Sequence, residues 1–461
     1  MKSIFNLFSL MLLLNGYALN ASASLNLAEA IEILKSDNLE IQSASLGVDS
    51  AKEDGKIASG NHWGKLDFIQ DFSNSNDAGN VFGFKLTSRE ATFGDFGARE
   101  FMNATGANGG VPPESAYTNP PENLNYPDSR NFFQSKLKYE VPLFTGFRIS
   151  SYEDIQKSMV KIKKLEKSQL LNEKIYQLRK SFYDMALLRE SVKNLNRILQ
   201  NIDTLEDMTQ NMIEVGYAKK VDLLEVKAKK GNVERLLSQM KSNQKLLYHY
   251  ISFLLNKKIT DIETPSKEIS LPYCSNDDIL SNNLDMKKAN RGLEIRKNMI
   301  KLSKASYYPT VGAFAEVATA DNTFFDRANN HSSYTVGARL SWNIFNGGID
   351  SANIEKSRIE YMKTEIKVQL ANSGIALKIE RTRTEIESYN RDIESLKKEL
   401  ALADEIYKNY EARYKEKLSS MSDVIIKQSE QIKKILQLQQ TINKRNERVF
   451  ALEKLANGED Q

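Results

Sequence analysis

The chain has 461 residues, with 64 Lys and Arg against 60 Asp and Glu, a formal net charge of only +4. That balance gives no electrostatic ground for a nucleic-acid partner, and 41% apolar residues with 22 Gly and 9 Pro exclude a disordered or collagenous chain. One cysteine, Cys274, rules out an internal disulfide framework, and His62, His249 and His331 match no metal-ligand spacing, so no metal, cofactor or catalytic constellation is expected.

Residues 1–23 read as an export signal: Lys2 supplies the positive start, Ile4 to Leu14 the apolar stretch, and Ala21-Ser22-Ala23 the small-residue cleavage site. A helix is expected over about 26–59 and a strand over 63–73. The connection 74–130 holds five of the nine Pro, beside Gly109-Gly110, and reads as an exposed irregular loop. Within it Phe82, Phe84 and Leu86 alternate, which suggests an extension of the strand. Over 133–143, Phe133, Leu137, Tyr139, Val141 and Leu143 alternate with Gln134, Lys136, Lys138 and Glu140, the period of a two-faced strand. A helical block over 151–256 follows, turning near 216–220, and a linker over 257–276 closes the first repeat, 24–256.

The second repeat, 277–456, has the same order. A helix covers about 277–306, a strand 307–319 and another strand 333–344, in which Tyr334, Val336, Ala338, Leu340, Trp342 and Ile344 share one face. A second helical block, 350–456, turns near 417–422 and leaves a tail of 457–461. Phe144-Thr145-Gly146 and Phe345-Asn346-Gly347, like Asp222 and Asp423, stand 201 residues apart, which points to internal duplication. Ile379, Ile386, Ile393, Leu400, Tyr407 and Tyr414 recur every seven residues, a coiled-coil seam that needs a partner helix along its length. At 1.5 Å per residue the first arm of each block is a rod of roughly 100 Å. The apolar stripes therefore carry architecture.

After residue 23 no stretch approaches 18 apolar residues, so membrane contact must come through the strands or a partner. Each strand has about ten residues, enough to cross a bilayer when tilted. Alternation alone fits a soluble sheet packed on helices equally well, but the helices already need each other. Four strands cannot close a barrel, and an open edge in hydrocarbon costs several kcal/mol for each unsatisfied backbone group. Three copies would give twelve strands, an even number suited to a closed barrel, with the polar strand faces lining water.

These motifs carry a resemblance to a known family. Val141-Pro142-Leu143-Phe144-Thr145-Gly146, its copy Leu340 to Gly348, Tyr307-Tyr308-Pro309-Thr310, and Val215-Gly216 followed by Asp222 stand in the order and placement of the TolC-like outer-membrane efflux family. Phe82-Gly83-Phe84-Lys85-Leu86 with Asn125-Tyr126-Pro127 is similar to the extended first loops of some members. The resemblance covers essentially the whole chain after residue 23. It implies an α+β membrane protein: a homotrimer whose twelve-stranded β-barrel sits in outer-membrane lipid of a Gram-negative cell and continues as a periplasmic α-helical coiled-coil barrel. It further implies a passive exit duct in efflux or type I secretion, working with a periplasmic adaptor and an inner-membrane pump, and no enzyme.

The resemblance also implies a periplasmic gate at the helical turns. Asp423 matches an aspartate that forms a ring in the constriction, while Ile426 stands where a second ring aspartate is found. Tyr414 matches a tyrosine that hydrogen-bonds the first-turn aspartate, here Asp222. Ser419 takes the place of an arginine in that lock, and Lys417 the place of the turn glycine. Gly216, Tyr217, Lys417 and Leu418 would contact the adaptor. On the residues alone, Asp423 reads equally as a helix cap at the restart before Val424-Ile425-Ile426, and Asp222 has the same reading. The competing assignment for the whole chain is a periplasmic coiled-coil adaptor or tether, which would have no use for paired amphipathic strands.

Overall fold

We describe a computed structural model of the chain over residues 24–105, 111, 113–265, 269–324 and 331–456. The expected export signal and the tail lie outside these residues. The elements, in chain order, are α1 (Leu27–Asp37), α2 (Leu39–Gly60), β1 (Lys65–Ser75), α3 (Ala78–Thr87), α4 (Ala98–Thr105), α5 (Glu114–Thr118), α6 (Glu122–Asn125), β2 (Arg130–Phe144), α7 (Arg148–Glu214), α8 (Lys220–Leu254), α9 (Asn276–Asn282), α10 (Leu284–Lys304), β3 (Thr310–Asp321), β4 (Ser332–Ser341), α11 (Ile349–Lys415) and α12 (Met421–Ala456). Helix therefore dominates among the described residues, which hold four strands. The described residues fall into two compact units, one within the bounds Met1–Gly47, Lys164–Lys288 and Gln369–Gln461 and the other within Val48–Lys163 and Ala289–Val368.

The second unit holds one antiparallel sheet in the order β1-β2-β3-β4. Its register pairs Phe68 with Leu137, Leu137 with Val317, and Val317 with Tyr334. Because side chains alternate along each strand, that register collects most of the large apolar side chains on one face, while Ile69 and Phe314 stand on the other. β1 and β4 each have a neighbour on one side only. The ladder between β2 and β3 shifts between Pro142 and Phe144, where Pro142 has no N–H to donate.

Three sequence expectations are corrected in this unit. Phe82, Phe84 and Leu86 lie in helix α3 and extend no strand. Asp77 caps that helix, accepting from the Asn80 N–H at 3.0 Å, and the Phe84 ring stacks on Phe132 with 4.3 Å between centroids. A short apolar run cannot be assigned by period alone, and cap and stacking decide it. The connection after β1 likewise contains helices α3 to α6, where an irregular loop was expected. β4 ends at Ser341, so Trp342 and Ile344 fall outside the ladder; the Trp342 indole donates to the Tyr307 carbonyl at 3.2 Å.

In the first unit the long helices form two hairpins that pack on each other. α7 and α11 are each 67 residues long and start 201 residues apart. Leu195, Ile198, Ile202 and Leu205 of α7 pack with Val226 and Val233 of α8, Tyr407 and Tyr414 of α11, and Val424, Ile432 and Ile435 of α12. The seam thus finds partners within its own chain, and each fully buried aliphatic side chain contributes about 1.5–3 kcal/mol. The two halves also match in polar detail. Asn38 accepts from the Ile41 N–H at 3.0 Å to cap α2 and donates to the Leu254 carbonyl at 2.8 Å. Asn283 repeats this on α10, accepting from the Met286 N–H at 3.2 Å and donating to the Leu455 carbonyl at 3.3 Å. Both asparagines are buried, so each satisfies a helix start and a helix end that water cannot reach.

Candidate functional site

Two places in the described residues are candidates for function, one in each unit: the faces of the sheet, and the turns of the helical hairpins. On one face of the sheet stand Leu66, Phe68 and Phe72 of β1, Leu137 and Tyr139 of β2, Val317 of β3, and Tyr334, Val336 and Leu340 of β4. All are exposed, Val336 at 72% and Tyr334 at 80%. Among the described residues nothing covers this contiguous apolar face, and a large exposed apolar patch marks a surface that meets lipid or a partner. The opposite face is charged: Lys65 pairs with Asp67 at 2.7 Å, Lys138 with Glu140 at 2.6 Å, and Lys136 with Glu316 at 3.5 Å. Among the described residues no helix is long and apolar enough to cross a membrane.

The two hairpin turns use one backbone device, repeated at the 201-residue spacing. In the first, Gly216 has φ +81°, its N–H donates to the Ile213 carbonyl at 3.1 Å, and the Tyr217 N–H donates to Met212 at 2.7 Å. In the second, Lys417 has φ +63°, its N–H donates to Tyr414 at 2.9 Å, and the Leu418 N–H donates to Arg413 at 2.8 Å. Both are Schellman caps that satisfy the last helical carbonyls through one left-handed residue. The left-handed geometry therefore persists at Lys417, at a steric cost of about 1–2 kcal/mol relative to glycine. The Lys417 ammonium lies 3.3 Å from the centroid of the Tyr217 ring, which joins the tips of the two hairpins.

Both aspartates sit where a helix restarts. The Asp222 carboxylate accepts from the Lys219 N–H at 2.8 Å. Asp423 Oδ2 accepts from the Ser420 N–H at 3.2 Å and the Ser420 hydroxyl at 2.6 Å, with Ser419 Oγ at 3.4 Å. The Ser420 hydroxyl in turn accepts from the Asp423 N–H at 3.2 Å. Ser420 is therefore the cap residue, with Asp423 its reciprocal partner three positions on. The Ser-x-x-Asp spacing is the signal by which sequence alone finds Ser420. The hydroxyl and N–H of Ser420 hold the Asp423 carboxyl below the usual carboxylate range, so it is ionised at neutral pH. Asp423 and Ile426 are both exposed and share a helix face three residues apart.

The Tyr414 hydroxyl does not reach Asp222. It lies 3.3 Å from the hydroxyl of Thr209, a buried residue that also donates to the Leu205 carbonyl at 2.7 Å. Burial, countered by the Thr209 contact, pushes the Tyr414 phenol up, so it stays neutral. Thr209 is 205 residues from Tyr414, and no local pattern signals such a pair. Around the turns Val215, Tyr217, Val221, Leu224 and Leu418 are all exposed, an apolar cap on the hairpin tips.

Residues 276–458 match the family model described as outer membrane efflux protein. Among curated proteins, Nodulation protein T of Rhizobium leguminosarum bv. trifolii is 24% identical over 242 residues, 48% of this chain and 49% of that protein. Nodulation protein T of R. leguminosarum bv. viciae is 21% identical over 253 residues, 53% of this chain and 52% of that protein. The match thus spans about half the length of these relatives. Among solved structures, the outer membrane protein VceC of Vibrio cholerae has a TM-score of 0.75 at 14% identity, over 94% of this chain and 97% of its own. The open state of the MtrE outer membrane channel of Neisseria gonorrhoeae has a TM-score of 0.73 at 14% identity, over 94% of this chain and 89% of its own.

Proposed function

We propose, from the match of residues 276–458 to the outer membrane efflux protein family, that this chain is a passive exit duct across the outer membrane and periplasm. The observation that carries the reading is the uncovered two-faced sheet with open edges at β1 and β4. Lipid covers an apolar face without loss but leaves unpaired strand edges unsatisfied. Joining β1 of one copy to β4 of the next in a ring of three closes a twelve-stranded barrel. The paired lysines and carboxylates then face the lumen, where they remain solvated. Family members are transport proteins that work with a periplasmic adaptor and an inner-membrane pump. For this chain we propose the same partners, with energy supplied by the pump.

We divide the chain into a signal, 1–23, and two repeats, 24–256 and 277–456. The hairpin turns are the proposed periplasmic end. Asp423, ionised at neutral pH, would repeat three times around the axis and favour cations, with Ile426 beside it as an apolar constriction. Tyr414, through Thr209, would steady the second hairpin, while Asp222 and Ser419 keep their capping contacts. Gly216, Tyr217, Lys417 and Leu418 would present the exposed tip to the adaptor. The test is conductance of the purified protein in planar bilayers. Small cation-favouring openings are expected, and Asp423→Asn should weaken the cation preference. A protein that never conducts in lipid would overturn the duct, and unchanged selectivity in the variant would remove Asp423 from the constriction.

A further inference from the structure

The sheet carries a cluster of donor groups at the end opposite the start of α7. Asp321 is the last residue of β3, His331 directly precedes β4, and Glu90 lies in the connection between β1 and β2. One ligand atom from each of the three comes within 4.8 Å of the others. Asp321 and His331 are only 6% and 7% exposed. His331 Nδ1 stands 3.2 Å from Asp321 Oδ2, yet neither atom makes a hydrogen bond of acceptable angle among the described residues. Two buried polar atoms thus stand at ion-pair distance with no hydrogen bond to either, although burial makes such groups costly to leave unmet.

Local structure holds each donor in place. The Asp321 carboxylate accepts from the Asn322 N–H at 2.6 Å, leaving Oδ2 turned to the imidazole. Glu90 follows Arg89, which ends α3 at φ +56° while the Glu90 N–H donates to the Lys85 carbonyl at 2.9 Å. The stacking of Phe84 on Phe132 anchors the same helix to β2. The Arg130 guanidinium, on the first residue of β2, pairs with the Glu90 carboxylate. A carboxylate has about four lone-pair sites, so it can serve a guanidinium and a metal together, the guanidinium fixing its orientation from behind.

We propose that Glu90, Asp321 and His331 form a binding site for a divalent transition-metal ion of the zinc class. Ligand atoms on a tetrahedral zinc ion are about 3.3 Å apart, so the imidazole–carboxylate pair already has the spacing of two ligands. One nitrogen and two carboxylates suit zinc, manganese or nickel better than magnesium or calcium, which prefer all-oxygen shells. The ion would fasten the β1–β2 connection to both sides of the β3–β4 connection. If the chain is the duct proposed above, this is the outer mouth; the binding itself does not depend on that reading.

The experiment uses the full chain in detergent, stripped with EDTA and dialysed, and titrated with ZnCl2. One Zn2+ per chain is expected, with affinity falling about tenfold or more in Glu90→Gln and in His331→Asn and no competition from Mg2+. Co2+ added to the wild-type chain should give absorption bands of a site with one imidazole and carboxylates, a readout independent of how the variants fold. Bound Zn2+ should also slow proteolysis within 74–130. Absence of Zn2+ binding to the wild-type chain, or equal binding by it and both variants, would overturn the proposal and leave two ion pairs, Arg130–Glu90 and His331–Asp321.

Discussion

Val336→Arg tests the assignment of the two sheet faces. Val336 lies near the middle of β4, opposite Ala315 of β3, and is 72% exposed on the apolar face. In a lipid-facing position near the bilayer midplane, arginine costs about 2–4 kcal/mol. That corresponds to roughly a 30- to 1,000-fold shift in the folding equilibrium of each chain. The neighbouring substitution Thr335→Arg places the same charge on the opposite face, across from Glu316, where a water-filled lumen predicts a change within about 0.5 kcal/mol. The comparison introduces the same charged side chain at adjacent positions of one strand, on opposite faces. Urea unfolding in lipid vesicles, followed by tryptophan fluorescence and by migration on unheated gels, measures both variants. Equal effects, or a larger loss at Thr335, would refute the membrane-facing assignment of the apolar side.

Two further outcomes follow from the helical unit. Gly216→Ala places a Cβ in open space but at φ +81°, so its cost is backbone strain of about 1–2 kcal/mol, seen as a lower thermal midpoint by circular dichroism; an unchanged midpoint would refute the left-handed turn. Asp184 is held above the usual carboxylate range by burial, despite its contact with Lys180 at 2.8 Å. A carboxyl raised in the folded state favours folding below its unfolded pKa, and that contribution is lost as pH rises through the folded value. Asp184→Asn should therefore stabilise the protein at pH 8, with the gain shrinking toward pH 4, in melts at each pH. A wild-type chain more stable than the variant at pH 8 would show that the Lys180 pair outweighs burial.

Much of this architecture is legible in the sequence because long periodic patterns leave few alternatives. The alternation of Tyr334, Val336, Ala338 and Leu340 survives as one face of β4. The seven-residue spacing from Ile379 to Tyr414 survives as a packed stripe, with Ile379, Ile386, Tyr407 and Tyr414 buried. What escapes reading is short or distant. Phe82 to Leu86 is too short to tell strand from helix, and stacking on Phe132 decides it. The Tyr414–Thr209 contact, and that of Glu90 with Asp321 and His331, join residues more than 200 positions apart, so neither leaves a local spacing to read. At the turns, the 201-residue repeat locates Lys417 opposite Gly216, but only the structure gives Lys417 its left-handed backbone and its place over Tyr217.

The most direct measurement of the central claim is the number of chains per particle in detergent-extracted outer membrane, by light scattering or native mass spectrometry. Three chains per particle, with cross-links forming between cysteines introduced on β1 of one copy and β4 of the next, are what a shared barrel requires. A single chain per particle, stable in water without detergent, would contradict it.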